Sequence, residues 1–94
     1  MKRRTEYYTY IMMSISGVLY IGITNNLIRR VAEHKQGSIE GFSKKYKCTK
    51  LIYYELRKDV RRAIVREKQL KNWRREWKLN LIKEQNPHMR DIKS

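Results

Sequence analysis

Tyr10, Tyr20, Arg30, His34 and Glu67 are side chains of the types that could act together on a phosphodiester. Hydrolysis of that bond needs an activated water, neutralisation of developing charge, a protonated leaving group and positioning. A carboxylate such as Glu67 suits Mg²⁺ or Mn²⁺, which keep several waters and take their remaining oxygens from the phosphate. The planar fork of Arg30 can clamp a phosphate bidentately, which a lysine cannot. His34 can relay a proton or bond a phosphate oxygen at neutral pH. Tyr20 is the first choice for general base, with Tyr10 close behind. An unperturbed phenol titrates near pH 10, so deprotonating it at pH 7 costs about 4 kcal/mol. A metal-bound water or a nearby guanidinium therefore has to assist. Either tyrosine can instead orient water or bond the phosphate, and the sequence leaves these roles open. Each residue also has a plain structural alternative: packed tyrosines on a sheet face, a solvated arginine, an idle surface histidine, a buried carboxylate paired to an arginine.

The elements that must position these residues are readable from local pattern. Residues 7–13 and 17–23 are rich in β-formers, and Ser14-Ile15-Ser16-Gly17 between them supplies a turn, so a β-hairpin is expected. Alternation places Ile11, Met13, Leu19, Ile21 and Ile23 on one face, with Tyr10 and Tyr20 together on the other. Gly22 on the tyrosine face leaves room for a close approach beside Tyr20. Thr24-Asn25-Asn26 offers cap oxygens for a helix over 27–35, with Leu27, Ile28, Val31 and Ala32 in one apolar arc and Arg30 and His34 one turn apart on its flank. Residues 37–50 read as a loop, 51–56 as a third strand. Asp59 is expected to cap a helix over 59–71, in which Glu67 falls within the stripe Val60, Ala63, Ile64 and Leu70. A carboxylate there costs free energy unless something pairs with it. A third helix over 73–85, with Trp73 and Trp77 read mainly as core, ends at Asn86-Pro87, and residues 86–94 form a short polar tail. The fold class is α/β (α+β): a small three-stranded antiparallel sheet flanked by helices, in a single domain over 1–85.

This ordered set resembles the GIY-YIG nuclease superfamily, in particular its small stand-alone members, and is similar to the N-terminal nuclease domain of the excinuclease incision subunit. The family's second motif is present as Tyr20-Ile21-Gly22, and the first is degenerate as Tyr8-Thr9-Tyr10, keeping its closing tyrosine. Arg30 stands ten residues after Tyr20, with His34 four further on and Glu67 on a helix after the third strand, as the family's pattern has them. The resemblance covers roughly residues 7 to 85. It implies a one-metal site at Glu67 and divalent-metal-dependent endonucleolytic cleavage of DNA, perceived at branched, damaged or single-stranded sites in the service of repair or recombination. Two departures stand out: Tyr8 replaces the first glycine, and Ile23 occupies a position where some relatives carry a lysine. Related enzymes often have an asparagine some dozen residues after the glutamate, for which Asn80 is the candidate.

Composition supports a polyanionic partner. Of 94 residues, 23 are Lys or Arg and 9 are Asp or Glu, a net charge of +14 that favours association with nucleic acid. The residues expected to hold the phosphate backbone are Arg29, Lys44, Lys45, Lys47, Arg66, Lys71, Arg74 and Arg75, giving salt-sensitive and sequence-blind affinity for DNA or RNA. No device for reading base sequence is evident, so specificity would come from nucleic-acid shape or a targeting protein. The longest apolar stretch, Ile11 to Ile23, is too interrupted for a membrane span. Met1-Lys2-Arg3-Arg4 is followed by Glu6 and tyrosines instead of a hydrophobic signal segment. The single Cys48 has no cysteine partner. A monomeric cytoplasmic protein is expected. The rival reading is a nucleic-acid-binding module of the same fold with little or no cleavage. A third, a basic adaptor for an acidic protein or the ribosome, would need the charges but none of the tyrosines.

Overall fold

The computed structural model describes residues 6–39 and 41–92, so the basic start of the chain lies outside it. The β-rich runs form strands β1 (Tyr7–Met13), β2 (Leu19–Thr24) and β3 (Lys50–Arg57) of one antiparallel sheet with order β2-β1-β3. The hairpin turn closes through Ser14, whose Oγ accepts from Val18 N at 2.9 Å and whose carbonyl accepts from Gly17 N at 3.0 Å. Gly17 takes φ 92°, a left-handed conformation that favours glycine. Register places Tyr10 directly opposite Gly22, and Met12 opposite Tyr20. A bulge between Ile11 and Met12 shifts the pairing with β3.

The two sheet faces divide as the alternation predicts. Ile11, Ile21 and Ile52 pack with Leu70, Ile82, Met13, Leu19 and Trp73 under two helices, α3 (Val60–Asn72) and α4 (Arg75–Gln85). Tyr10, Met12 and Leu51 pack with Val18, Tyr20, Leu27 and Val31 under helix α1 (Leu27–Gln36). The expected caps are present: Asn26 Oδ1 accepts from Arg29 N at 3.1 Å, Asp59 Oδ1 from Arg61 N at 2.9 Å, and Gly37 ends α1 at φ 74°.

Three sequence expectations change. The buried side of α1 runs through Leu27, Val31 and His34, while Ile28 is 68% exposed and Ala32 is exposed. The face turned because buried hydroxyls satisfy His34, so an imidazole takes the place an apolar residue was expected to fill. The loop over 37–50 contains a short helix, α2 (Phe42–Tyr46), started by Gly41 at φ 89° and ended by Lys47 in the left-handed region. Its exit is pinned by Cys48, fully buried, whose backbone N–H donates to Ser43 O at 3.0 Å. Finally, residues 86–92 of the expected polar tail dock onto β3. Asn86 Nδ2 donates to Ile52 O at 3.0 Å, Ile92 N to Leu51 O at 2.7 Å, and Asp91 Oδ1 accepts from Leu51 N at 2.9 Å. Ile92 joins the tyrosine-side cluster, which supplies the apolar reason for docking.

Candidate active site

The centre of the site is a hydrogen-bonded column of buried polar side chains. Tyr10 on β1 and His34 on α1 are 1% and 2% exposed, with Tyr10 Oη 2.8 Å from His34 Nε2. His34 Nδ1 in turn lies 2.6 Å from Ser43 Oγ on α2, also buried. Tyr20, half-buried on β2, packs its ring against both partners, with centroids 4.8 Å from His34 and 6.2 Å from Tyr10. Phe42 of α2 closes the far side of Tyr20 at 6.4 Å. Gly22 is required here. A Cβ at that position would meet Tyr10 Oη at 2.6 Å, its Cζ at 2.7 Å and Tyr20 Cε1 at 2.9 Å. The close approach expected beside Tyr20 is thus made by Tyr10.

Charge converges on this column. Burial pushes the Tyr10 phenol far above its ordinary range, and Tyr20 adds to that rise. The Arg30 guanidinium pulls it down, and the Glu67 carboxylate pushes it up slightly. Both charged residues therefore bear on the phenol, although Glu67 rides on α3, which packs across the opposite sheet face. His34 is pushed down to about 4, by burial first and then by Arg30, so its imidazole is neutral at pH 7. The buried Nε of Arg30 lies 3.7 Å from the Glu33 carboxylate, too far for a hydrogen bond, and makes none to any other group in the protein. An unsatisfied buried guanidinium nitrogen asks for an explanation, and an incoming anion oxygen supplies one.

The low basicity of His34 has a measurable consequence. Its ordinary value is 6.5 and its folded value about 4, so between these the unfolded chain binds more protons. Its contribution to stability is intact above pH 6.5 and is lost as pH falls toward 4, about 2–3 kcal/mol in total. Chemical denaturation of wild type and His34→Gln from pH 7 to pH 4 should show the variant losing less stability across that window. Parallel slopes would mean that His34 is not held neutral.

Glu67 is the residue that could hold a metal. Its side chain is 17% exposed, and it makes a long contact of 3.7 Å with Lys71, one turn on. Among the described residues no three His, Cys, Asp or Glu side chains cluster as metal ligands. A single accessible carboxylate fits Mg²⁺ or Mn²⁺, whose remaining positions go to water and phosphate, better than a softer ion that wants several nitrogen or sulfur ligands.

The basic residues expected at the backbone fare unevenly. Arg29, Lys45 and Lys47 are exposed, as is Lys44. Lys45 lies over the Tyr46 ring and Arg74 over Trp77, which is 48% exposed and not core. Arg75 donates to the hairpin carbonyl of Gly17 at 2.6 Å, tying α4 to the turn. Lys71 faces Glu67. Arg66 is committed within the protein: its Nε and Nη2 bind both Glu55 oxygens at 2.8–3.1 Å, and Nη1 reaches Gln69 at 2.8 Å. Burial opposes ionisation of Glu55, but Arg66, the Tyr53 hydroxyl and Arg57 outweigh it and hold the carboxyl low. Arg66 is thus engaged by Glu55 and Gln69 within the protein, which leaves its guanidinium little capacity for a phosphate. Asn80 stands exposed on α4. No described helix is long and apolar enough to cross a membrane.

A phenol pair on the sheet, an arginine on the first helix and a carboxylate on the third are the features of one class of domain. The GIY-YIG catalytic-domain model matches residues 6–80, and the chain belongs to that family, a nuclease superfamily. Its nucleases typically use divalent metal ions and act on nucleic acid. Within it, the chain is similar to UPF0213 proteins. It is 32% identical over 79 residues to those of Staphylococcus aureus strains Mu3 and Mu50, covering 84% of this chain and 96% of each relative. The solution structure of a UPF0213 protein from Bacillus halodurans shares the fold, with TM-score 0.59, 22% identity and 88% of each chain covered.

Proposed function

We propose that the protein is a divalent-metal-dependent endonuclease that cuts DNA at sites marked by structure and not by sequence, of the kind used in repair or recombination. The observation that carries this reading is the packing of Tyr10, Tyr20 and His34 into one hydrogen-bonded cluster over Gly22, beside an Arg30 Nε that makes no hydrogen bond, in a domain of a nuclease family. In this reading Tyr20, less buried than Tyr10, accepts a proton from the attacking water as its own hydroxyl proton passes inward through Tyr10 to His34 Nε2, and the leaving oxygen takes its proton from solvent. Tyr10 and His34 hold Tyr20 in place from behind, and Arg30 clamps the scissile phosphate. Glu67 would hold Mg²⁺ or Mn²⁺, which supplies Lewis-acid stabilisation of the phosphate oxygens when bound. Arg29, Lys44, Lys45, Lys47, Lys71, Arg74 and Arg75 form the proposed phosphate-contacting set, with Arg75, tied to the Gly17 carbonyl, and Lys71 and Arg74, ion-paired to Glu67 and Glu76, contributing less. The protein is proposed to act in the cytoplasm as a monomer, guided by DNA shape or by a targeting protein.

Purified protein incubated with supercoiled plasmid, flap and single-stranded DNA, with Mg²⁺, Mn²⁺ or EDTA, tests this directly. Nicking is expected with either metal and none with EDTA. Binding should weaken steeply between 50 and 200 mM salt, as several phosphate contacts require. Salt-sensitive binding with no cleavage of any substrate would favour a binding module of the same fold, and failure to bind DNA would favour a basic adaptor.

A further inference from the structure

Ser43 belongs to a stretch that local sequence marks only as a lysine-rich loop, yet its hydroxyl is buried against the one histidine of the site. The column Tyr10–His34–Ser43 can be polarised in two ways, because hydroxyls both donate and accept and a neutral imidazole carries one N–H. If His34 donates from Nε2, the Tyr10 hydroxyl proton must turn away from the imidazole, toward the Tyr20 hydroxyl, since Arg30 offers only donors, and Ser43 must donate to Nδ1. If Tyr10 donates to Nε2, its oxygen lone pairs face Tyr20 and Arg30, and the proton of His34 sits on Nδ1, aimed at Ser43. The second arrangement pairs the better acid, a phenol, with the better base, an imidazole nitrogen. The neutral state of His34 is consistent with it.

We infer that Ser43 is a positioning residue: by accepting the Nδ1–H of His34 it fixes the tautomer that draws the Tyr10 proton away from the site and presents the Tyr10 lone pairs to Tyr20 and Arg30. Tyr20 can then donate its own hydroxyl proton inward to Tyr10 and keep its outward lone pairs for the attacking water. This deepens the nuclease reading and rests on it for its catalytic consequence, while the tautomer itself does not. The fold supports the assignment independently. Helix α2, only five residues long, is set by Gly41, Lys47 and the buried Cys48, and delivers Ser43 to His34 while Phe42 packs against Tyr20. Behind the column, His34 and Ser43 both border a cavity of about 510 Å³. Water there could replace a missing hydroxyl, but it donates and accepts equally and would not select a tautomer.

The test is long-range ¹H–¹⁵N correlation of the His34 ring in wild type, Ser43→Ala and Ser43→Thr. Wild type should show a single Nδ1–H tautomer, Ser43→Ala a mixture or a switch, and Ser43→Thr, which keeps a hydroxyl, the wild-type pattern. In parallel, Ser43→Ala should lower kcat about tenfold, less than the roughly hundredfold or more of a lost general acid or base because Ser43 acts only through His34, with KM unchanged. An Nε2–H tautomer in wild type would overturn the inference on its own, as would an unchanged tautomer in Ser43→Ala. If wild type cuts no substrate, the nuclease reading fails, and the ring spectra still decide the role of Ser43.

Discussion

Replacing Glu67 by alanine should abolish metal-dependent nicking, by roughly a thousandfold, while leaving DNA binding and fold in place. Each part has a separate physical origin. Activity falls because no other described carboxylate, histidine or cysteine cluster offers a substitute for holding the cation. Binding persists because the substitution removes a negative charge and releases Lys71 from its 3.7 Å pair, which if anything strengthens attraction to phosphate. Stability changes little, since a partly exposed i,i+4 pair is worth a few tenths of a kcal/mol. Gel-shift titration, thermal denaturation and plasmid nicking on the same preparation check all three. Retained nicking would remove Glu67 from the chemistry. Lost nicking together with a lost fold would return it to a purely structural role.

The second large effect is expected at a residue with no side chain. Gly22→Ala would drive a methyl group into both phenols, against Tyr10 Oη and Cζ at 2.6 and 2.7 Å and Tyr20 Cε1 at 2.9 Å. The far end of a tyrosine can often yield, but Tyr10 is 1% exposed and tied to His34, so accommodation means breaking that bond or prying the strands apart. A cost of about 3 kcal/mol in stability is expected. Displacing the phenols by a fraction of an ångström should also lower cleavage on the order of a hundredfold. Tyr10→Phe removes the nearest atom of the clash. The double variant Gly22→Ala/Tyr10→Phe should therefore lose less stability than the sum of the two single changes. Strict additivity by urea denaturation would show that the methyl group finds room elsewhere.

Much of this was legible in the sequence, because it depends on short-range pattern. Period-two alternation placed Tyr10 and Tyr20 on one face and the aliphatic residues on the other, and cap chemistry at Asn26, Asp59 and Gly37 located helix ends. What was not legible depends on contacts between distant residues. The inward turn of α1 is decided by His34, an imidazole that only Tyr10 and Ser43 make tolerable in a core. The withdrawal of Arg66 from the basic surface is decided by Glu55, eleven residues away on β3. Ser43 carried no signal at all: a five-residue helix started by a left-handed glycine has no periodicity to detect. The docking of residues 86–92 turns on the Leu51 N–H donated to the Asp91 carboxylate, on the Ile92 N–H donated to Leu51 O, and on Ile92 packed against the tyrosine-side cluster, which a polar composition conceals.

Convergence of Glu67, Tyr20 and Arg30 on one cation-holding, phosphate-gripping surface is tested most directly by paramagnetic broadening of backbone amide signals with Mn²⁺ and a short, non-cleavable oligonucleotide. Signals of Gly22, Tyr20, Arg30 and Glu67 should broaden together at low metal concentration, and Glu67→Ala should remove the effect at all four. Broadening centred on another part of the molecule, or a set of four that never responds as a group, would contradict a shared site.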